Sequence, residues 1–371
     1  MRILIVQRSL SPPGGGNAVA AWMVHALAGR HEVATLTERR WSANDTNAFY
    51  GTAIAGHRVT THVVPRWWRL LSSLGEHRIT RLRMSALLRQ ARALASQYDL
   101  LITADNYAAF GRPGIQYVHF PSQLQPPPAR LAPIVECYFS ICNRVLGAQW
   151  SDAKHNLTLA NSQWTADGLA RLGEISSPIV LYPPVVDPGA GLQWPERNDT
   201  FLCIGRFHGS KRIELAISVV RKVRAQSMPN ARLVIVGSAV DAGYTAGLRR
   251  VAAGEGWIEL REDLSRSELN TLMGRSRYGI QAMVGEHFGM ATAEMTRAGC
   301  LVFAHHSGGT PEVLNREDAL LWTTEDDAVA RIAAIAQSDI AALRARLRAH
   351  AAGFSTAAFV KRFREIVDGV R

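Results

Sequence analysis

Two glutamates, Glu286 and Glu294, stand eight positions apart across what reads as a strand end followed by a helix start. If the helix begins near Phe288, Glu294 lies about 10 Å further along its axis, because a helix rises about 1.5 Å per residue. The unpaired amides of a helix start favour phosphate. The spacing therefore suits a sugar nucleotide, with Glu286 at the sugar and Glu294 at the ribose. The alternative is that Glu294 belongs to an ordinary polar helix face.

A second set of reactive side chains follows an earlier apolar run. Gly205 and Arg206 stand at the end of a predicted strand, and Lys211 is expected to open the next helix. Two cations at this place could bind a diphosphate and neutralise the charge that develops as it leaves. A solvated helix start is an equally good interpretation of this pair taken alone.

A glycine-rich loop, residues 12–17, follows the first predicted strand and leads into a helix expected from about Ala18. Three consecutive glycines, Gly14 to Gly16, let a backbone approach a ligand closely, and amides near a helix start suit phosphate. The spacing is not the G-x-G-x-x-G dinucleotide fingerprint. A glycine-rich turn with a purely structural role remains the alternative.

These residues need a scaffold, and the sequence predicts two. Short apolar runs alternate with helical stretches, which is typical of a parallel sheet covered by helices. The first series comprises residues 3–6, 33–36, 100–103, 116–118 and 157–160, and the second comprises 201–205, 233–237, 257–260, 278–282 and 301–304. Ligands of such sheets collect at the carboxyl ends of the strands, where the residues singled out above fall.

The boundary between the two domains is predicted within the proline-rich stretch 183–189, a poor helix and a poor central strand. The domains are then residues 1–185 and 186–355. The last segment, 356–370, has helical spacing of its apolar residues and is expected to complete the first domain. Those apolar residues are Phe359, Phe363, Ile366 and Val370.

Composition narrows the class of protein without deciding its function. The chain has 371 residues and a net charge of +11, with most of the excess in the first half. A basic surface can bind nucleic acid, anionic lipid or phosphorylated substrates. The four cysteines lack metal-ligand spacing, and no run approaches the roughly 18 apolar residues that a spanning helix needs. We therefore expect free thiols, no metal cofactor and a cytoplasmic location.

Ordered together, several segments resemble the donor-binding half of glycosyltransferase family 4, whose members have the GT-B fold. The segments are 205–207, Lys211, 286–294 and 307–312. Four segments, 117–121, 161–165, 181–184 and 286–289, look more particularly like the α-1,2-mannosyltransferases that extend dolichol-linked oligosaccharides. The similarity extends over nearly the whole chain.

The resemblance implies an α/β protein with two Rossmann-like domains facing across a cleft. It also implies a retaining, metal-independent hexosyltransferase that acts on a glycan or lipid-linked saccharide. GDP-mannose is the favoured donor, and a UDP-sugar is the alternative. No cofactor is expected, because the nucleotide sugar is a substrate.

The resemblance further assigns roles residue by residue. Arg206 and Lys211 would bind the diphosphate, Glu286 the donor sugar and Glu294 the ribose. Gly15 and Gly16 would contact the sugar-phosphate from the opposite wall, and His119 would lie near the anomeric carbon. The remaining donor-binding residues would be Gly205, His287, Phe288, Gly289, Met290 and Ala291.

The segment 66–92 contains seven arginines against one acid, Glu76, and begins with Arg66 followed by Trp67 and Trp68. Arginine beside tryptophan and leucine is typical of a helix that lies in lipid headgroups. This composition predicts peripheral attachment to the inner face of an anionic membrane. A helix with an arginine-rich solvent face explains the composition equally well.

Two further classes stay open at this point. A basic nucleic-acid-binding protein would explain the arginines but not the paired glutamates, and no nucleic-acid module is visible. We therefore expect no nucleic-acid partner. A different reaction on the same fold, such as sugar-nucleotide epimerisation or phosphorolysis, would use the same phosphate and ribose contacts.

Overall fold

The computed structural model describes residues 1–65, 79–121, 132–172, 175, 177–189 and 191–370. The chain divides into two compact units, Met1–Pro184 with Phe359–Arg371, and Val185–Ala358. The division expected from the sequence was 1–185 with helix 356–370, and 186–355. Each unit contains one parallel sheet with helices packed on it.

The first sheet has seven parallel strands in the order β3-β2-β1-β4-β5-β6-β7. The strands are β1 Arg2–Val6, β2 Glu32–Thr37, β3 Val59–Val63, β4 Leu100–Thr103, β5 Ile115–Val118, β6 Leu157–Ala160 and β7 Ile179–Val180. Strand β1 lies inside the sheet between β2 and β4, with Ile3 opposite Val33 on one side and Leu100 on the other. Its near-continuous apolar sequence fits a strand buried on both faces.

Among the described residues, five helices between these strands belong to the first unit. They are α1 Gly15–Leu27, α2 Ala43–Tyr50, α3 Thr80–Leu94, α4 Ala132–Leu146 and α5 Gln163–Arg171. Helix α1 buries most of its residues, whereas α3 buries one face, which includes Leu87 and Leu88. Ser42 and Ser162 cap α2 and α5 by accepting a backbone N–H with their side chains, which satisfies one of the unpaired amides of each helix start.

The second sheet has six parallel strands in the order β10-β9-β8-β11-β12-β13. The strands are β8 Asn198–Ile204, β9 Arg232–Gly237, β10 Ile258–Glu262, β11 Ser276–Gln281, β12 Leu301–His305 and β13 Leu321–Trp322. The order is that of a Rossmann sheet, and it reverses between β8 and β11. Ligands of such sheets bind at the carboxyl ends of the strands that flank this reversal.

The helices of the second unit follow its strands in turn, and the last two come after β13. They are α6 Ile213–Gln226, α7 Ala242–Gly254, α8 Arg266–Arg275, α9 Met290–Arg297, α10 Thr310–Val313, α11 Glu325–Ala336 and α12 Ala341–Ala351. The core between sheet and helices includes the aromatic stack of Phe201 on Tyr278, whose ring centroids are 4.8 Å apart.

The final helix, α13, spans Thr356–Asp368, and the residues from Phe359 onward belong to the first unit. Its buried residues include Phe359, Phe363 and Ile366, as expected from their spacing. The prediction that Val370 also packs on this face was wrong. The helix ends before Val370, and Val367 is buried instead. Arg364 fixes the helix by donating from Nε to the backbone oxygen of Ala26, 2.7 Å away.

All ten strands predicted from apolar runs are present, with ends that differ by up to three residues. Three strands were missed. Strand β3 is only half-buried and its sequence, Val59–Val63, includes polar residues, while β7 and β13 have only two residues each. Edge strands of this kind carry too little apolar sequence to be recognised by hydrophobicity alone.

Candidate functional site

Lys211 and Glu286 meet at the point where the strand order of the second sheet reverses. Lys211 follows β8 and Glu286 follows β11, the two strands that flank this point. Lys211 Nζ donates a hydrogen bond to Glu286 Oε2, and both side chains are largely buried. Two residues singled out from separate parts of the sequence therefore form one ion pair.

Gly205 makes room for this lysine. A Cβ at Gly205 would lie 3.4 Å from Lys211 Cδ, so the lysine side chain packs directly on the glycine. The neighbouring strand approaches even more closely, because a Cβ at Gly237 would lie 1.9 Å from the Gly205 oxygen. The ends of β8 and β9 are thus held together, and the lysine side chain folds back over them.

Lys211 was predicted to open a helix, but this prediction was wrong. It lies in a 3₁₀ turn, Gly209–Lys211, and α6 begins only at Ile213. Arg212, between the two, has a positive φ of 50°. The left-handed backbone separates the turn from the helix, so Lys211 can point back to Glu286 without following the helix direction.

The backbone of Glu286 is fixed by the loop 307–309. Gly309 donates its N–H to the Glu286 oxygen at 2.8 Å, and the Gly285 N–H donates to Ser307 Oγ at 2.8 Å. Gly308 has a φ of 72°, and a Cβ there would lie 2.1 Å from the Glu286 oxygen. Only glycine fits this contact, which explains the two adjacent glycines of the segment 307–312.

Helix α9 begins later than predicted. Its first residue is Met290 and its N-cap is Gly289, with a φ of 99°, whereas the prediction placed the start near Phe288. The leading amides are therefore those of Met290 and Ala291, and such amides form the positive end of the helix dipole. Phe288 is buried and packs edge-on against Phe354, so its side chain is part of the interior. His287 lies before the cap and is half-buried.

Glu294 lies one turn into α9, on the side that meets helix α8. Arg266 Nη1 donates to Glu294 Oε1 at 2.9 Å, and both side chains are largely buried. Because the helix starts at Met290, Glu294 is about 6 Å along the axis from its first residue, less than the predicted 10 Å. The sequence analysis missed Arg266, which stands first in α8 after the capping residue Ser265.

Arg206 is exposed beside Gly205, and among the described residues no carboxylate forms an ion pair with it. Arg212, also missed by the sequence analysis, adds a further cation near the site. Burial first, and then the charge of Arg212, lower the pKa of His305. His305 is bonded through Nδ1 to Ser307 Oγ at 2.8 Å, so this cation lies close to the loop that holds Glu286.

In the first unit, His119 follows β5 and is held by its neighbours. Its Nε2–H donates to the Ala104 oxygen at 2.8 Å, and its backbone N–H donates to Asn106 Oδ1 at 2.8 Å. Burial lowers the pKa of His119, which favours the neutral ring with Nδ1 free of a proton. A Cβ at Gly16 would lie 3.3 Å from His119 Nε2, so these two predicted residues are neighbours.

Gly15 and Gly16 lie in the first turn of α1, not in the loop before a helix expected from Ala18. Gly14 is the N-cap, and its φ of 143° is one that only glycine adopts readily. The helix thus begins three residues earlier than predicted. The backbone amides of Gly15 and Gly16 are among its leading amides.

Two ion pairs at the carboxyl edge of the first sheet were not predicted. Arg8, after β1, donates to both oxygens of Asp105, after β4, at 2.6 and 2.9 Å. Arg83 of α3 forms a second, largely buried pair with Glu38, which follows β2. The sequence carried a signal for both pairs, since Glu38 directly follows β2 and Asp105 stands two residues after β4, but their partners could not be matched without the fold.

The predicted membrane segment 66–92 is only partly described, and residues 66–78 lie outside the described residues. Within the remainder, Arg83 pairs with Glu38 and Arg81 stacks on the ring of Phe139 at 3.8 Å from its centroid. These two arginines therefore face the protein and do not belong to an exposed basic face. Arg89 is exposed.

The described ranges contain neither a candidate metal site nor a candidate membrane-spanning helix. No cluster of three or more His, Cys, Asp or Glu side chains placed to hold a metal ion occurs among them. Likewise, none of their helices has the length and apolar character required to cross a bilayer.

Residues 190–353 match the family described as glycosyl transferases group 1. A protein of Candida albicans, named GDP-Man:Man(3)GlcNAc(2)-PP-Dol alpha-1,2-mannosyltransferase, is 29% identical over 180 residues, which cover 42% of this chain and 29% of that protein. The human protein of the same name is 26% identical over 170 residues, covering 42% and 35%. The matched region is thus about a third of the length of these curated relatives and less than half of this chain.

Among solved structures, the fold is similar to that of Anabaena HepE, crystallised with UDP and glucose. The TM-score is 0.71 at 17% identity, and the match covers 100% of both chains. The predicted fold class, α/β with two Rossmann-like domains as in GT-B proteins, is confirmed. The predicted resemblance to group 1 glycosyltransferases and to the dolichol-linked mannosyltransferases is confirmed as well.

Proposed function

We propose that this chain transfers a hexose from a nucleoside diphosphate sugar to a glycan or lipid-linked saccharide, because its residues 190–353 match the glycosyl transferases group 1 family. The observation that carries the proposal is the Lys211–Glu286 pair at the strand reversal of the second sheet. The pair places a cation and a hydrogen-bond acceptor for sugar hydroxyls side by side, where Rossmann-like sheets bind their ligands.

Lys211 is suited to connect the two halves of a donor. Its ammonium group has three N–H donors, and one of them is used by Glu286. The other two remain for the oxygens of a diphosphate, while Glu286 Oε1 remains for a sugar hydroxyl. In this proposal Arg206 adds a second cation to the diphosphate, and the leading amides of α9 add the positive end of a helix dipole.

These groups would act mainly on the leaving group. As the bond from the sugar to the phosphate breaks, negative charge builds on the departing diphosphate, and fixed donors in a partly buried site stabilise it. Each such donor lowers the barrier by roughly 3 kcal/mol. We propose that transfer needs no metal ion and retains the anomeric configuration, with the departing phosphate assisting attack on the same face.

Glu294 would bind the ribose of the donor. Arg266 occupies one of its oxygens and fixes the carboxylate, so the remaining lone pairs can accept from the two ribose hydroxyls. In the first unit, the leading amides of Gly15 and Gly16 and the neutral ring of His119 stay the predicted contacts of the sugar-phosphate and anomeric carbon.

For the donor we propose GDP-mannose, which is the sugar nucleotide in the name of the curated relatives. A UDP-sugar is the second candidate, since the diphosphate and ribose contacts proposed here do not involve the base. We extend the same proposal to three further properties. They are peripheral attachment to an anionic membrane, a cytoplasmic location and a role in polysaccharide or glycolipid synthesis.

The test is a calorimetric titration with GDP, UDP, GDP-mannose and UDP-glucose in the absence and presence of EDTA. We expect a guanine nucleotide to bind most tightly and EDTA to have no effect. Product analysis with labelled donor and a lipid-linked saccharide then tests whether a new glycosidic bond forms with the anomeric configuration of the donor retained. If no nucleoside diphosphate binds, the proposed function is wrong, and if UDP binds more tightly than GDP, the second donor takes its place.

A further inference from the structure

Four arginines surround a cavity at the amino edge of the second sheet, the edge opposite the Lys211–Glu286 pair. They are Arg197, Arg297, Arg344 and Arg348. Arg197 directly precedes β8, and Ala298 and Gly299 of the same wall precede β12, so the cavity lies where these strands begin. Its volume is about 410 Å³, within the range of small-molecule sites.

Arg197 forms the floor of this cavity and is fixed there by the backbone. Its guanidinium donates to three carbonyl oxygens, those of Leu192, Ser276 and Ala298, at 2.9, 3.2 and 2.7 Å. The residue is buried, at 6% exposure. Carbonyl groups satisfy its hydrogen bonds but leave its positive charge without a counterion.

The other three arginines have donors that the protein does not use. Arg344 stacks on Trp194 at 4.4 Å, and its Nε is buried without a hydrogen-bond partner. Arg297 Nε is buried and unpartnered as well. Within the described chain, neither Arg344 nor Arg348 forms an ion pair with a carboxylate. Arg344 and Arg348 therefore line the cavity with guanidinium groups that have no hydrogen-bond acceptor among the described residues.

The cavity holds more positive charge than it neutralises. Asp187 is the one carboxylate in its lining, and it lies 3.6 Å from Arg297 with 77% of its side chain exposed. Burial, and then the neighbouring Arg348, lower the pKa of Arg197. Burial, and then Arg197 and Arg348, likewise lower the pKa of Arg344. The guanidinium groups repel one another, and an anion between them would remove this repulsion.

We propose that this cavity binds a small phosphorylated molecule with at least two negative charges. Guanidinium groups match phosphate oxygens with paired N–H donors, and arginine is the usual residue for such recognition. Glycines let the wall approach the arginines closely, since a Cβ at Gly191 would lie 2.6 Å from Arg197 Nη2 and one at Gly299 would lie 3.1 Å away. The site is separate from the donor contacts, so the inference does not depend on the proposed function.

The test uses inorganic triphosphate as the probe, titrated calorimetrically at low salt into the full chain. All proteins carry Lys211→Ala, which weakens any binding at the proposed donor site. We expect Arg344→Gln/Arg348→Gln to lose at least about tenfold in affinity, because two charged hydrogen-bonding groups are removed. A matched control, Arg346→Gln/Arg362→Gln, removes the same charge from two exposed arginines outside the cavity and should lose less than about twofold.

The single variant Arg348→Gln separates a loss of binding from a folding defect, because this side chain is exposed and takes no part in the core. It should still weaken triphosphate binding about threefold to tenfold while leaving the melting temperature unchanged. Equal affinity of the cavity variants and the matched control would overturn the proposal. So would tighter binding of a single-stranded oligonucleotide than of triphosphate through the same two arginines, since the ligand would then be a polymer.

Discussion

The carboxyl edges of the two sheets have the same strand order around β1 and β8 but differ in the charges that surround their ion pairs. At the first edge, two ion pairs join neighbouring elements, Arg8 with Asp105 and Arg83 with Glu38, and the exposed Arg39 and Arg40 follow β2. Around the strand reversal of the second sheet, Glu286 and Glu294 are paired with Lys211 and Arg266, and two further cations flank Lys211 without an ion pair among the described residues. These two cations are Arg206 and Arg212.

This difference indicates which edge is built for a multiply charged anion. The two charges of an ion pair largely cancel, so such a pair stabilises the fold but exerts little net electrostatic attraction on a ligand. Unpaired cations beside a helix start attract phosphate. The first edge offers instead a neutral histidine and the glycine backbone of α1. The fold alone does not distinguish the two sheets, and the side chains after each strand do.

The largest effect is expected from Lys211→Ala, which removes the cation shared by the proposed sugar and diphosphate contacts. Turnover should fall roughly 100-fold to 1,000-fold, as when a fixed transition-state donor is lost. Steady-state kinetics with the preferred sugar nucleotide measures it. Lys222→Ala is the matched control, because Lys222 pairs with Glu325 and Asp326 away from the site. Near-normal turnover of Lys211→Ala would remove the proposed mechanism.

The loop that holds Glu286 can be perturbed by a substitution that changes no charged residue. Gly308→Ala forces a Cβ against the Glu286 oxygen at a positive φ, so we expect about 3 kcal/mol less free energy of unfolding and weakened donor binding. Gly247→Ala is its counterpart in α7, where nothing lies near the added Cβ, and it should stabilise by about 0.5 to 1 kcal/mol. Chemical denaturation measures both. Equal effects would show that the loop yields easily.

At the first edge, Arg8→Ala should act on stability and hardly on nucleotide affinity. It leaves Asp105, whose side chain is 9% exposed, without its partner. We expect about 2 kcal/mol lower free energy of unfolding, less than for a fully buried pair because Arg8 itself is partly exposed. Arg362→Ala, an exposed residue of α13, should cost less than about 0.5 kcal/mol. A large loss of diphosphate affinity in Arg8→Ala would contradict the contrast between the edges.

The smallest effect is the pH dependence that His119 contributes. Burial holds its pKa in the folded chain below its usual 6.5, so the folded state binds fewer protons than the unfolded one. This contribution to stability is complete above that value and is lost as the pH falls below it. His119→Gln, whose amide can still donate to the Ala104 oxygen, should show a flatter fall of unfolding free energy between pH 7 and 5. An unchanged slope would mean that His119 does not titrate in this range.

Much of the scaffold could be predicted from the sequence because buried parallel strands are nearly continuous apolar runs. Strand β4 was predicted residue for residue, for example, whereas β3 was missed because its side chains are half-exposed. The helix starts were less accurate. Glycines opened both α1 and the turn before α9, and their positions relative to the first turn depend on backbone angles that residue types alone do not determine.

The candidate site was predictable in its members but not in its partnerships. Lys211 and Glu286 were recognised as reactive, but their ion pair joins positions far apart in the sequence and requires β8 and β11 to be neighbours. Arg266 was not predicted, since a charged residue at a helix start is common on any protein surface, and the position of Asp105 after β4 did not identify its partner. The roles assigned to the site residues stay predictions until ligand binding is measured.

The contribution of helix α13 to the first unit has a consequence for synthesis in the cell. Phe359 and Phe363, which help to form its core, emerge from the ribosome only after the entire second unit has been made. The core of the first unit therefore cannot be completed until synthesis ends, whereas the second unit can fold before then. Truncation within the last dozen residues would consequently damage the half of the molecule that is translated earliest.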